Sequence, residues 1–211
     1  MDSNEVFDLV ARERRGLADL LDSLSDEQLS TRSICTEWTV RDVFAHLLVP
    51  LVISLPAVMV KLAFSGLNFD TVNVKLSAKV GTRSTAELAS GLRNNAAHRF
   101  TPPTMGPEAP LTEQIVHGQD IRRPLGFERE IPEEILRVSL DFLSHPKTKG
   151  FVPKGLLGGL RFETADPDWT WGQGPLVAGK ADAVVMAMAG RATFLDELDG
   201  DGVAVMRSRL R

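Results

Sequence analysis

Glu113-Gln114-Ile115-Val116-His117 sets a carboxylate and an imidazole four positions apart, a spacing that puts both side chains on one face of a helix. Opposite a histidine from a second helix, such a pair makes a His₂Glu site with coordination positions left open, the arrangement of a reactive rather than a structural zinc. His46 could be that histidine. The same pair is also common on solvated helix faces, and spacing alone leaves both readings open. Asp120, three positions past His117, could orient that imidazole from behind, could cap the helix end or could pair with Arg123. Arg122 and Arg123 fall at the end of the same segment, where cations are favoured in any case; either could also hold a carboxylate.

Composition narrows the classes. The 211 residues, 43% hydrophobic and 25% charged, can bury a full core as one domain or as a larger and a smaller one. A formal charge of −4 argues against general nucleic-acid binding, which usually shows a basic surface. The single cysteine, Cys35, excludes an intrachain disulfide framework and fits a reducing cytoplasm. The opening Met1-Asp2-Ser3-Asn4-Glu5 does not read as a signal peptide.

Residues 47–60 run without a charge, a stretch too short to span a bilayer. Pro50 and Pro56 should interrupt or kink it. The expectation is a buried, kinked helix or one wall of an apolar pocket; a lipid-like ligand or a partner could sit against it.

The first 145 residues read mainly as helices. Apolar residues at helical spacing carry helix 1 from Ser3 to Leu24, capped by Asp2 or Ser3, and a short turn follows at 25–29. Thr39-Val40-Arg41-Asp42 is a variant capping box, with Trp38 placed to pack on the first turn; helix 2 then runs through His46 into the apolar run. Ser84-Thr85-Ala86-Glu87 opens helix 3, to about Phe100. Residues 101–110, rich in proline, read as a long connection. Helix 4 should begin near Leu111, carry Glu113 and His117, and stop before Pro124. A further helix spans Pro132 to Leu143. Pro146 to Gly150 reads as a linker. Beyond it Leu160–Thr164 and Trp169–Trp171 alternate at period two around Asp166-Pro167-Asp168, a hairpin. Lys180–Ala189 reads as a helix, and Val203–Met206 fits strand or helix. The fold class is mainly α: a four-helix bundle over residues 1–149 and a small α+β domain over 150–211.

Cys35-Thr36-Glu37-Trp38-Thr39-Val40-Arg41-Asp42-Val43-Phe44-Ala45-His46-Leu47 resembles the Cys-x-x-Trp-x-Val-x-Asp-x-x-x-His-Leu signature of the mycothiol-dependent maleylpyruvate isomerase family, a branch of the DinB-like metal-binding bundles. Thr36-Glu37 stands where the family often has Pro-Gly, which changes a turn and not a ligand. The segment Glu113 to Gly126 resembles the family's second signature, and Ala189-Gly190-Arg191 its helix-ending Gly-Arg. The resemblance implies a divalent metal, most often zinc, on His46, Glu113 and His117. It implies a low-molecular-weight thiol, mycothiol, as metal-bound nucleophile, with isomerisation or S-transfer on a small electrophilic substrate. Arg191, from the second domain, would then be a further binding residue beside Arg122 and Arg123, or would pair with one of Asp196, Glu197 or Asp199. A metal-dependent hydrolase using bound water and a non-catalytic apolar-ligand or partner-binding protein are the alternatives. His98 and His145 read as non-catalytic, and Cys35 as a buried small hydrophobe more readily than as a reactive thiol.

Overall fold

Capping chemistry written into the sequence starts the main helices of this computed structural model. The structure describes residues 1–35, 38–66, 68–146, 148 and 150–210, with side chains described except at 55, 59, 60, 62, 63, 69 and 70. Thr36-Glu37 of the first motif, and Lys147 and Lys149 of the expected linker, therefore lie outside the described residues. Asp2 caps α1 (Ser3–Ser23) through a capping box with Glu5. Ser25 caps α2 (Asp26–Ser30) with Gln28, and Thr39 caps α3 (Val40–Val52) with Asp42. Two more helices, α4 (Leu55–Phe64) and α5 (Phe69–Gly81), precede α6 (Thr85–Asn94), which Ser84 caps with Glu87. Each box satisfies two backbone N–H groups that the helix itself leaves without a partner.

Cα packing divides the chain into two compact units: residues 1–102 with 113–128, and residues 103–112 with 129–211. The first unit is helical. Its core joins Leu17, Ala18 and Leu21 of α1, Val43, Phe44, Leu47 and Leu48 of α3, Val72, Leu76 and Val80 of α5, and Leu88 and Leu92 of α6. These are stripes at helical spacing, each buried against the others. The apolar run 47–60 is two helices, not one. Pro50 is carried inside α3, the chain leaves helical geometry at Ile53, and Pro56 falls in the first turn of α4, where its missing N–H is harmless. The expectation of burial holds for α3; among the described side chains of α4, Val58 packs partly buried against the core, whereas Pro56, Ala57 and Lys61 are exposed and Phe64 is 90% exposed.

Helix α7 (Glu108–Arg122) starts earlier than its prolines suggest, with Pro110 in its first turn. The expected connection therefore ends at Pro107. A 3-10 turn, Arg123–Leu125, follows and is closed by Gly126 at φ 70, the left-handed position that glycine occupies without a Cβ penalty.

In the second unit α8 (Glu133–Ser144) packs on α9 (Ala181–Met188), so α8 belongs with the sheet and not with the bundle. Its amphipathic face buries Ile135, Leu136, Leu140 and Leu143. The sheet runs β2-β1-β3-β4 from β1 (Arg161–Ala165), β2 (Asp168–Gly172), β3 (Leu176–Gly179) and β4 (Leu198–Asp199). The expected hairpin is present, with Phe162 opposite Trp171 and Thr164 opposite Trp169. The pairing of β1 with β3 is parallel. Trp169 is 7% exposed and donates from Nε1 to Asp141 Oδ1 of α8 at 2.8 Å. The closing segment is a helix, α10 (Asp201–Arg209). Among the described residues no helix is long and apolar enough to cross a membrane.

Candidate metal centre

His46 owes its position to the start of α3. Thr39 Oγ1 accepts from Asp42 N at 3.2 Å, and Asp42 Oδ2 accepts from Thr39 N at 2.9 Å. That fixes the helix register, and His46 then falls between buried Ala45 and Leu47. Arg41 ties the same turn to the chain after α5, donating from Nε to Gly81 O at 3.1 Å and from Nη1 to Thr85 Oγ1 at 3.1 Å; its Nη2 donates to Arg83 O.

Against this frame α7 brings Glu113 and His117. His46 Nε2 lies 3.3 Å from Glu113 Oε1. The rings of His46 and His117 are 4.8 Å apart at 76°, and one ligand atom from each of His46, Glu113 and His117 falls within 4.8 Å of the others. Three donors on two helices thus converge on one point. Their side chains are 12%, 21% and 13% exposed, shielded but reachable by a small molecule.

The other nitrogen of each imidazole is engaged. His117 Nδ1 lies 3.0 Å from Asp120 Oδ2, and His46 Nδ1 lies 3.0 Å from Asn73 Oδ1. A carboxylate or amide oxygen only accepts, so each Nδ1 carries the hydrogen and Nε2 is the atom left for a metal. The Asp120 carboxylate is fully buried and also accepts from the Cys35 thiol at 3.1 Å. The Asp120 carbonyl accepts from Ile34 N at 3.2 Å. The loop before α3 is thereby held to α7, and Asp120 faces His117 instead of capping the helix end.

Glu113 sits in a field that keeps it ionised. Burial pushes its carboxyl up, but in the metal-free site, where His46 and His117 can carry a proton on Nε2 as well, the hydrogen bond from His46 and the charges of His46, His117 and Arg14 outweigh burial and hold it below the usual carboxylate range. Arg14 of α1 is 1% exposed, and its guanidinium donates to Ala96 O at 3.0 Å and His98 O at 2.6 Å. Burial draws its pKa down to about 10, with Glu113 acting in the opposite direction; it remains a cation at neutral pH.

Trp38 flanks the group, its ring 4.8 Å from that of His46 and 6.4 Å from that of His117. The sequence suggested only that it packs on the first turn of α3. Cys35 reads in sequence as a small hydrophobe, yet it is half-buried and hydrogen-bonded to Asp120. Asn73 and Arg14 were not singled out at all. Both stand on stripes that the 3.6-residue period would have located, but nothing in the sequence says which polar residue of a stripe faces a distant histidine.

The arginines divide. Arg122 is buried and donates from Nη1 back to Gly118 O at 3.3 Å; a Cβ at Gly118 would lie 2.8 Å from that Nη1. Arg122 therefore braces its own helix instead of facing solvent. Arg123 is exposed in the following turn. Arg191 lies in the second unit, donating from Nη1 to Ala189 O at 2.8 Å. His98 accepts from Phe100 N, and His145 ends α8.

Residues 10–98 match the family model for the mycothiol maleylpyruvate isomerase N-terminal domain. His46 lies inside the matched residues, whereas Glu113 and His117 lie beyond them. The fold extends over nearly the whole chain in two solved structures. The crystal structure of a mycothiol-dependent maleylpyruvate isomerase is 16% identical at a TM-score of 0.53, covering 95% of this chain and 93% of that one. That of a histidine-to-alanine mutant of such an isomerase is 18% identical at 0.54 with the same coverage. The domain family and both structures are named for an enzyme. None of the curated proteins matches the chain.

Proposed function

We propose that this protein is a metal-dependent enzyme that uses a low-molecular-weight thiol, mycothiol, as metal-bound nucleophile on a small electrophilic substrate, as an isomerase or an S-transferase. One observation carries the reading: His46 Nε2, Glu113 and His117 converge within 4.8 Å while both Nδ1 atoms are engaged elsewhere. The match of residues 10–98 to the isomerase domain family supports the choice of thiol.

The donor set fits a divalent ion. Two neutral imidazoles and a carboxylate held in its anionic form leave a net positive charge on such an ion and room for another ligand. Zinc suits this set best, and nickel, iron or manganese would also be accepted. When bound, the cation would lower the pKa of a thiol and hold its sulfur in place.

The protein's own groups do the rest. Asp120 accepts the His117 Nδ1 hydrogen and so aims Nε2 at the site, and the Cys35 thiol holds Asp120 in turn. Trp38 walls one side with an apolar ring, which keeps water from the donors and raises the electrostatic strength of the pocket. Exposed Arg123 offers a cation to a carboxylate on the substrate or the thiol cofactor. The partners are small molecules and not nucleic acid, and a reduced cysteine engaged with Asp120 suits the cytoplasm.

Elemental analysis of purified protein beside His117→Ala tests the site, and activity with and without mycothiol tests the chemistry. Near-stoichiometric metal lost in the variant, with turnover that requires the thiol, is the expected result. Turnover undiminished without thiol would replace this reading with hydrolysis; no metal after reconstitution would remove it.

A further inference from the structure

The two histidines of the site have unequal partners. Behind His117 stands a buried carboxylate; behind His46 stands the neutral amide of Asn73, on α5. Helix α5 packs along α3, and the two also meet at the far end of α5. A Cβ at Gly81 would lie 3.6 Å from Ala45 Cβ, one residue before His46. Asn73, Ser77 and Gly81 stand at successive four-residue steps, so they form one stripe of α5. Beside it Val72, Leu76 and Val80 form the apolar stripe that anchors α5 in the core. Ser77 is buried on this stripe, and Asn73 Oδ1 reaches the His46 ring at 3.0 Å.

We infer that Asn73 is a positioning residue for the metal centre, its Oδ1 accepting the His46 Nδ1 hydrogen and so presenting Nε2 toward Glu113 and His117. The inference rests on the metal reading above. A histidine with no partner at Nδ1 divides its hydrogen between the two nitrogens and turns about its side-chain bonds, and both losses fall on metal affinity. The amide supplies the acceptor without a third negative charge next to Glu113 and Asp120. A leucine at 73 would keep the size and delete the acceptor, whereas an aspartate would keep the acceptor.

Chelator competition with zinc measures the effect on wild type, Asn73→Leu and Asn73→Asp, beside thermal unfolding of the metal-free proteins. The visible spectrum of the cobalt(II)-loaded proteins reports the ligand geometry. Asn73→Leu should bind zinc about 10–100-fold more weakly, with metal-free stability close to wild type and an altered cobalt spectrum. Asn73→Asp should restore both affinity and spectrum. Wild-type zinc affinity in Asn73→Leu, or equal loss in both variants, overturns the assignment while leaving the metal site standing. If the wild type takes up neither metal, the metal reading fails and the assignment falls with it.

Discussion

His46 and Glu113, held on α3 and α7, meet with Nε2 3.3 Å from Oε1. Neither residue's local sequence contains the other, and no hydrogen bond of either helix backbone requires the encounter. The two meet because the apolar stripes of α1, α3, α5 and α6 and Ile121 of α7 are buried in one core. Their juxtaposition with His117 is the feature on which the expected behaviour of variants turns.

Replacing His46 by Ala should abolish stoichiometric metal binding while the metal-free protein still folds. The ring is 12% exposed and lies outside the apolar core proper, so unfolding should shift little. Elemental analysis with a thermal melt of the metal-free protein reads both outcomes.

Asp120→Asn keeps the shape but weakens the acceptor at His117 Nδ1 and at the Cys35 thiol. Metal affinity should fall about tenfold. Cys35→Ser, which keeps a donor, should change affinity far less than Asp120→Asn does. Isothermal titration of zinc into the metal-free variants distinguishes the two.

Acid should find Glu113 in the metal-free protein. Its folded carboxyl is held below its ordinary value of 4.5, so the unfolded chain takes up the proton first as the pH falls. The stabilisation is therefore complete above that value and is lost as the pH drops through the depressed folded pKa. Urea midpoints measured from about pH 6 to about pH 3 should converge between wild type and Glu113→Gln at the acid end.

Arg14→Met removes a buried cation that serves two carbonyls, Ala96 O and His98 O, and the field on Glu113. With those carbonyls left without their donor, stability should fall by about 2–4 kcal/mol. A parallel Thr39→Ala, which deletes the cap of α3, should cost about 1 kcal/mol and leave metal stoichiometry unchanged. Urea denaturation at neutral pH gives both values.

Much of this was legible in advance. Capping boxes announced the starts of α3 and α6, alternation announced the hairpin, and the two motifs brought His46, Glu113 and His117 to notice. The segment 65–83 was the gap. Helix α5 carries two lysines and several polar residues that dilute its Val72, Leu76, Val80 stripe, and no capping box marks its start. With α5 unseen, Asn73 had no claim to a role. Prolines misled in a different way: Pro110 reads as a breaker but sits harmlessly in a first turn. The placement of α8 with the sheet unit was equally out of reach, since an amphipathic stripe specifies that a face is buried and not what buries it.

What the sequence determined by itself was local: helix starts, where the backbone N–H groups of two residues three positions apart find each other's side chains, and the common face of Glu113 and His117, which follows from 3.6 residues per turn. What only the tertiary structure decided was which groups meet from different elements. The partners of the imidazole nitrogens, Asn73 for His46 and Asp120 for His117, and the pairing of Cys35 with Asp120 depend on how helix faces pack. That packing is set by the shapes of all the buried stripes together, a property that no single segment carries.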